Sequence, residues 1–182
     1  MTTIAAIQGD GWVVLGFDSR VVDDGRAYIL PSNNSKVVRK GEYLLGAAGD
    51  MRAINLLDIF VPPSIPKQVS LDRFITSEFI PALKSCFIAN GYGDEKGCGS
   101  SVLVAIRGVV YEIGEDYEWC RDERGLYAIG SGSAYALGAL YAVAEKDIEM
   151  SEAKRLMKTS VEIAATLNIE TGLPIRVITQ TK

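Results

Sequence analysis

Residues 1–20 read MTTIAAIQGDGWVVLGFDSR, and this stretch decides what kind of fold can follow. Residues 4–7 and 12–17 are two short apolar runs on either side of Gln8-Gly9-Asp10-Gly11, a turn sequence, so they read as a hairpin. Neither run alternates apolar with polar side chains. Strands of that kind are buried on both faces, so something must cover each side of their sheet. The rest of the chain supplies the cover. Val37-Val38 and residues 43–48 form a second expected hairpin, turning at Lys40-Gly41. A helix is expected from Asp50, a good N-cap, with Met51, Ile54, Leu57 and Phe60 on one face and Pro62, Pro63 and Pro66 ending it. A second helix starts near Ser70, carries Leu71, Phe74, Ile75, Phe79 and Leu83, and is kinked by Pro81.

Residues 90–100 are glycine-rich and polar and read as a mobile loop. Residues 101–106 and 109–113 make another strand pair, residues 115–124 an acidic, irregular link, and residues 126–130 a further strand. Two helices follow: residues 135–144, rich in alanine, and a stretch with Ala153, Leu156, Met157, Ile163, Ala164 and Leu167 as its apolar stripe. Residues 175–179 close as a strand. The expected fold class is therefore α+β: two antiparallel sheets stacked face to face, with helices on both outer faces, a four-layer αββα sandwich. At 182 residues, with no repeat or linker, residues 1–182 read as a single domain.

Composition narrows the function. A net charge of −4 without a dense basic cluster argues against nucleic acid or anionic lipid as the main partner. No apolar run reaches the length of a membrane span, and Met1 is followed by polar threonines rather than a signal peptide, so a cytoplasmic protein is expected. Cys86, Cys98 and Cys120 are odd in number and widely spaced; they read as reduced thiols packing the core, not as a disulfide framework.

The chain has no histidine. A threonine hydroxyl is a weak nucleophile that needs a base. The one base near neutral pH that needs no side chain is an α-amine, whose unperturbed pKa is roughly 7.7–8.0. Loss of Met1 would put that amine and a hydroxyl on the same residue, Thr2.

Five blocks give this reading a context. Thr2-Thr3-Ile4, Gly16-Phe17-Asp18-Ser19-Arg20, Ser35-Lys36-Val37-Val38, Leu44-Leu45-Gly46-Ala47-Ala48-Gly49 and Ile129-Gly130-Ser131-Gly132-Ser133-Ala134-Tyr135 occur in this order. Together they resemble the proteasome β-subunit superfamily, including the bacterial HslV-type peptidases, whose fold is that of N-terminal nucleophile hydrolases. Asp18-Ser19-Arg20 is the more proteasome-like feature; the short start and the overall length are more HslV-like.

The resemblance implies a threonine endopeptidase acting through an acyl-enzyme, with Thr2 as nucleophile and base together. Lys36 would favour the alkoxide and lower the amine's pKa, Asp18 would hold Lys36, and the Ser131 hydroxyl would contact the new N-terminus. The loop Gly130-Ser131-Gly132-Ser133 lacks the lysine of a phosphate-binding P-loop. Backbone N–H groups near Gly49 and Asp50 would form the oxyanion hole. The family usually carries glycine where Asp50 stands; its carboxylate either caps the helix or opposes the oxyanion, and the cap is expected because an N-cap side chain folds back onto its own helix.

By the same resemblance, Val21, Val38, Ala48 and Arg52 would line the substrate pocket, with room beside Ala48 for an apolar or aromatic side chain. HslV-type chains bind a monovalent cation such as Na⁺ through backbone carbonyls; Ala165, Asn168 and Thr171 are the matching positions, and no other cofactor is implied. The resemblance also implies homo-oligomeric rings, stacked hexamers or heptamers, fed with protein or peptide substrates by an ATP-dependent unfoldase. Two other readings stay open: a catalytically inactive ring or scaffold subunit, and a small-amide hydrolase that forms no ring.

Overall fold

The structure, a computed structural model, describes residues 2–145 and 147–182. Along the chain lie β1 (Ile4–Gln8), β2 (Trp12–Phe17), β3 (Arg20–Asp23), β4 (Arg26–Ile29), β5 (Val37–Lys40), β6 (Tyr43–Ala48) and α1 (Met51–Ile59). Then come α2 (Leu71–Phe74), a π-helical turn (Ile75–Phe79), α3 (Ile80–Ala89), β7 (Ser101–Ile106), β8 (Val109–Ile113), β9 (Trp119–Cys120) and β10 (Leu126–Ile129). The chain finishes with α4 (Ser133–Val143), α5 (Met150–Leu167) and β11 (Arg176–Thr181).

One sheet has the order β10-β1-β2-β11 and the other β5-β6-β7-β8-β9, all neighbours antiparallel. The apolar runs are sorted residue by residue. Ile4, Ala6, Val13, Leu15 and Phe17 face the other sheet and meet Leu44, Leu103, Ala105 and Val110. Ala5, Ile7 and Val14 face the opposite way, onto Leu140, Leu156, Met157 and Val161 of α4 and α5. On the far side, Leu45, Ala47, Val102 and Val104 pack under Ile54, Leu57, Phe79 and Phe87 of the other helical layer. Two-faced burial explains the absence of alternation in β1 and β2. At Gly16 an added Cβ would lie 2.4 Å from Met157 Cγ, so the glycine lets α5 approach β2 closely.

The structure departs from the sequence reading in four places. Residues 20–29 form a further hairpin, β3–β4, as a separate two-stranded sheet. Its turn residues Asp24 and Gly25 both have positive φ, 45° and 76°, as a two-residue hairpin turn of type I′ requires. Pro81 does not produce a simple kink. The helix passes through the π-helical turn just before it, which relaxes the i→i−4 register where Pro81 has no N–H to donate. Residues 90–100 are not a free loop, because Tyr92, Cys98 and Ser100 are buried in it. The three thiols are free; Cys98 lies in the core and Cys86 packs against it as expected, but Cys120 is exposed.

Candidate active site

The site lies at one end of the sandwich, where five strands begin or end. Thr2 precedes β1, Ala48 and Gly49 leave β6, Ser101 opens β7, Glu115 follows β8, and Gly130 and Ser131 follow β10. The pairings Ile4↔Ile129 and Ala48↔Ser101 bring these ends together. The seven residues line a cavity of about 480 Å³. Thr2 is 2% exposed at its wall. Gly130, at φ +93°, passes so close that a Cβ there would overlap the Thr2 carbonyl oxygen, so the β10–α4 turn fixes the Thr2 main chain.

Behind Thr2 the anchor is Asp18, at the end of β2 and fully buried. Its Oδ1 accepts the Thr3 N–H at 2.9 Å and Lys36 Nζ at 2.7 Å. Its Oδ2 accepts the N–H groups of Arg20 and Gly172, each at 3.0 Å. Lys36, 1% exposed, also donates to the Arg20 carbonyl. A buried carboxylate with four donors and an ammonium with a charged partner are both satisfied. Burial holds the Lys36 pKa below its ordinary value, with the charge of Asp18 and the hydrogen bond to it opposing the shift. Thus Asp18 and Lys36, expected from sequence as a pair, are a pair, and Asp18 holds the residue next to Thr2.

Thr3 carries a role that sequence reading missed. Its hydroxyl lies 2.6 Å from that of Thr171, in the turn after α5. Asn168 Nδ2 donates to the Ser131 carbonyl at 2.9 Å, and Asn168 Oδ1 accepts the Glu170 N–H at 2.9 Å. Arg20 Nη1 donates to the Ile169 carbonyl at 3.1 Å, and its guanidinium lies over Gly172, where a Cβ would collide with it. Asn168 and Thr171, singled out for their carbonyls, therefore also tie this turn to the site through their side chains. The Asn168 carbonyl accepts the Thr171 N–H at 3.1 Å.

Gly49 and Asp50 separate in the structure. Gly49, at φ +129°, lines the cavity. Asp50 points away: its Oδ1 accepts the Arg52 N–H at 2.8 Å as the α1 cap, and its own N–H donates to Ser100 Oγ at 3.1 Å. The Asp50 amide is engaged there, so among these two amides Gly49 alone borders the cavity. Ser100 Oγ is in turn 2.6 Å from Tyr92 OH. We expect Ser100→Ala to cost about 1–3 kcal/mol, because it leaves the Tyr92 hydroxyl buried without that partner; denaturant unfolding of the two proteins measures it. Residues 99–101, Gly-Ser-Ser, gave no local sign that the middle serine is a strut.

Of the four expected pocket residues, only Ala48 borders the cavity. Val38 packs on the core beneath α1–α3. Val21 is buried in the β3–β4 hairpin. Arg52 is drawn off by the Asn90 carbonyl, 2.8 Å from its Nη2, and by the Tyr92 ring, 5.8 Å from its Cζ. Ser101 and Glu115 take their places in the lining.

A sandwich of two antiparallel sheets between helical layers, with a buried threonine heading its first strand, is the architecture of an N-terminal nucleophile hydrolase, and the resemblance to the proteasome β-subunit and HslV-type superfamily holds. The proteasome subunit beta type-9 of Salmo salar is 26% identical over 184 residues, covering 94% of this chain and 78% of its own, and that of Oncorhynchus mykiss is 25% identical. Among solved structures, Thiobacillus denitrificans BPH in complex with epoxomicin superposes with a TM-score of 0.80 at 23% identity over 98% of both chains. A eukaryotic HslV from Trypanosoma brucei superposes at 0.69, with 20% identity over 99% of both. No family model matches the chain.

Proposed function

We propose that the chain is an N-terminal threonine peptidase. The observation that carries this reading is Thr2 itself: a buried threonine at the wall of a cavity, followed by a residue held by the Asp18–Lys36 pair. Removal of Met1, which lies outside the described residues, frees the Thr2 amine. That amine takes the hydroxyl proton, directly or through a water, as Oγ1 attacks the peptide carbonyl. The Lys36 ammonium favours the developing alkoxide, and the Gly49 N–H, on this reading, donates to the oxyanion. Collapse of the tetrahedral adduct breaks the C–N bond while the Thr2 ammonium passes its proton to the departing nitrogen, so the amine half of the peptide leaves and an ester remains on Thr2. Water then attacks the ester with the same amine as base, and the acid product leaves. Ser131 lines the same cavity, and on this reading its hydroxyl contacts the freed amine.

Asn168 and Thr171 sit in the turn that a monovalent cation would brace together with the Ala165 carbonyl, since carbonyl oxygens suit a hard cation. The relatives named as proteasome subunits support oligomeric assembly in general; a homo-oligomeric ring is part of the proposal, and it would confine such a site and call for an unfoldase to feed it. No helix among the described residues is long and apolar enough to cross a membrane. The test is intact-mass measurement alongside peptide turnover. Active protein is expected to lack Met1, and turnover by protein that retains Met1 on every chain overturns the reading.

A further inference from the structure

We propose that Ser100 is a positioning residue for the reaction: it sets the orientation of the Gly49 amide at the cavity wall, and Tyr92 holds it to that task. The inference deepens the peptidase reading and rests on it. Gly49 stands between two peptide planes. The plane before it carries the Gly49 N–H and is tied to the sheet by the pairing Ala48↔Ser101. The plane after it is tied by the Asp50 N–H, which donates to Ser100 Oγ at 3.1 Å. A glycine at φ +129° has no Cβ to restrict rotation between the two, so releasing the second plane also loosens the first. Ser100 closes the space on that side as well: a Cβ on Gly49 would lie 2.4 Å from Ser100 Oγ and 3.0 Å from its Cα.

Ser100 is itself held. It is fully buried, its Oγ lies 2.6 Å from Tyr92 OH, and its carbonyl accepts the Cys98 thiol at 3.3 Å. The Tyr92 ring stands edge-on to that of Phe87 in α3, with centroids 5.3 Å apart, and the Tyr92 N–H donates to the Phe87 carbonyl at 2.9 Å. The tie therefore runs from α3 through Tyr92 and Ser100 to the peptide that follows Gly49. An amide fixed before charge develops can donate to an oxyanion with no reorganisation at the moment of reaction. Such an interaction is made in the transition state and not with the bound peptide, so its loss falls on kcat and spares KM.

The test compares wild type, Ser100→Ala and Tyr92→Phe, each shown by denaturant unfolding to be folded under assay conditions. Ser100→Ala is expected to lower kcat about ten- to hundredfold with KM within about twofold. Tyr92→Phe keeps the bond from Asp50 to Ser100 and removes only its brace, so a smaller loss of the same kind, about threefold or more, is expected; this variant carries the test if Ser100→Ala does not fold. A peptide aldehyde and the corresponding peptide alcohol supply a second reading. The aldehyde carbon bonds Thr2 Oγ1, the hydroxyl proton passes to the Thr2 amine, and the former carbonyl oxygen takes the place of the oxyanion; the alcohol binds without reacting. Aldehyde affinity should fall about tenfold or more in Ser100→Ala while alcohol affinity stays within about twofold. A kcat equal to that of wild type, or aldehyde and alcohol affinities that move alike, overturns the inference and leaves the peptidase reading standing. Wild type of confirmed free Thr2 that neither turns over peptides nor bonds the aldehyde sinks the peptidase reading, and the inference with it.

Discussion

Thr2→Ala lowers peptide hydrolysis by roughly four orders of magnitude or more, the size of effect seen when a covalent nucleophile is removed. The variant folds: the change deletes one hydroxyl and one methyl at a cavity wall, which costs about 1–2 kcal/mol at most. Coincident circular-dichroism spectra and unfolding midpoints within a few degrees of wild type establish that the loss is chemical. The pH dependence carries a second signature of the same mechanism. An amine that must be neutral to accept the hydroxyl proton makes kcat/KM climb with pH up to its pKa, roughly 7.7–8.0 if unperturbed and lower beside the Lys36 cation. A flat profile from pH 6 to pH 9 contradicts the amine's role even if Thr2→Ala is inactive.

The second large effect falls on stability. Asp18→Ala removes the carboxylate partner of a buried ammonium and the acceptor of three main-chain N–H groups, those of Thr3, Arg20 and Gly172. Breaking one side of such a pair costs about 3–5 kcal/mol, and the extra orphaned donors place this variant at the upper end. Lys36→Met costs less, since the carboxylate it leaves keeps those three donors. The two variants also differ in what pH does to them. Burial depresses the Lys36 pKa below 10.5, so above its folded value the unfolded chain binds more protons than the folded one. Stability from this group therefore rises with pH, from the folded pKa up to about 10.5, and below that window the burial cost is present in full. Buried Tyr43, Tyr111 and Tyr117 have raised pKa values and act in the opposite sense, but equally in both proteins. The stability difference between wild type and Lys36→Met should shift in favour of wild type as pH climbs from 7 to 10, read from guanidinium unfolding at each pH.

What local sequence could reveal was set by range. Strands buried on both faces, the Asp50 cap and the hairpin at residues 40–41 are written in a few neighbouring residues, and the layers follow from them. The β3–β4 hairpin is equally local, since Asp24-Gly25 between Val21-Val22 and Ala27-Tyr28-Ile29 is a turn signal flanked by strand-forming residues. The π-helical turn before Pro81 is harder, since a proline states that a hydrogen bond is missing but not how the helix absorbs the loss. Thr3 and Ser100 were out of reach for another reason. Each acquires its role from a partner far along the chain, such as Thr171 for Thr3 and Asp50 for Ser100, and nothing in their immediate neighbours marks them. Arg52 shows the converse: the family resemblance pointed its side chain to substrate, whereas Asn90 and Tyr92 claim it.

The bonds from Asp18 to Gly172 and from Thr3 to Thr171 join residues 154 and 168 positions apart. During synthesis at about 5–20 residues per second, the head of the chain leaves the ribosome many seconds before the turn that braces it. A nascent polypeptide thus carries its reactive residue without the scaffold that would arm it. If the peptidase reading holds, the enzyme stays disarmed while it is attached to the machinery that makes it, and proteins being made alongside it are spared.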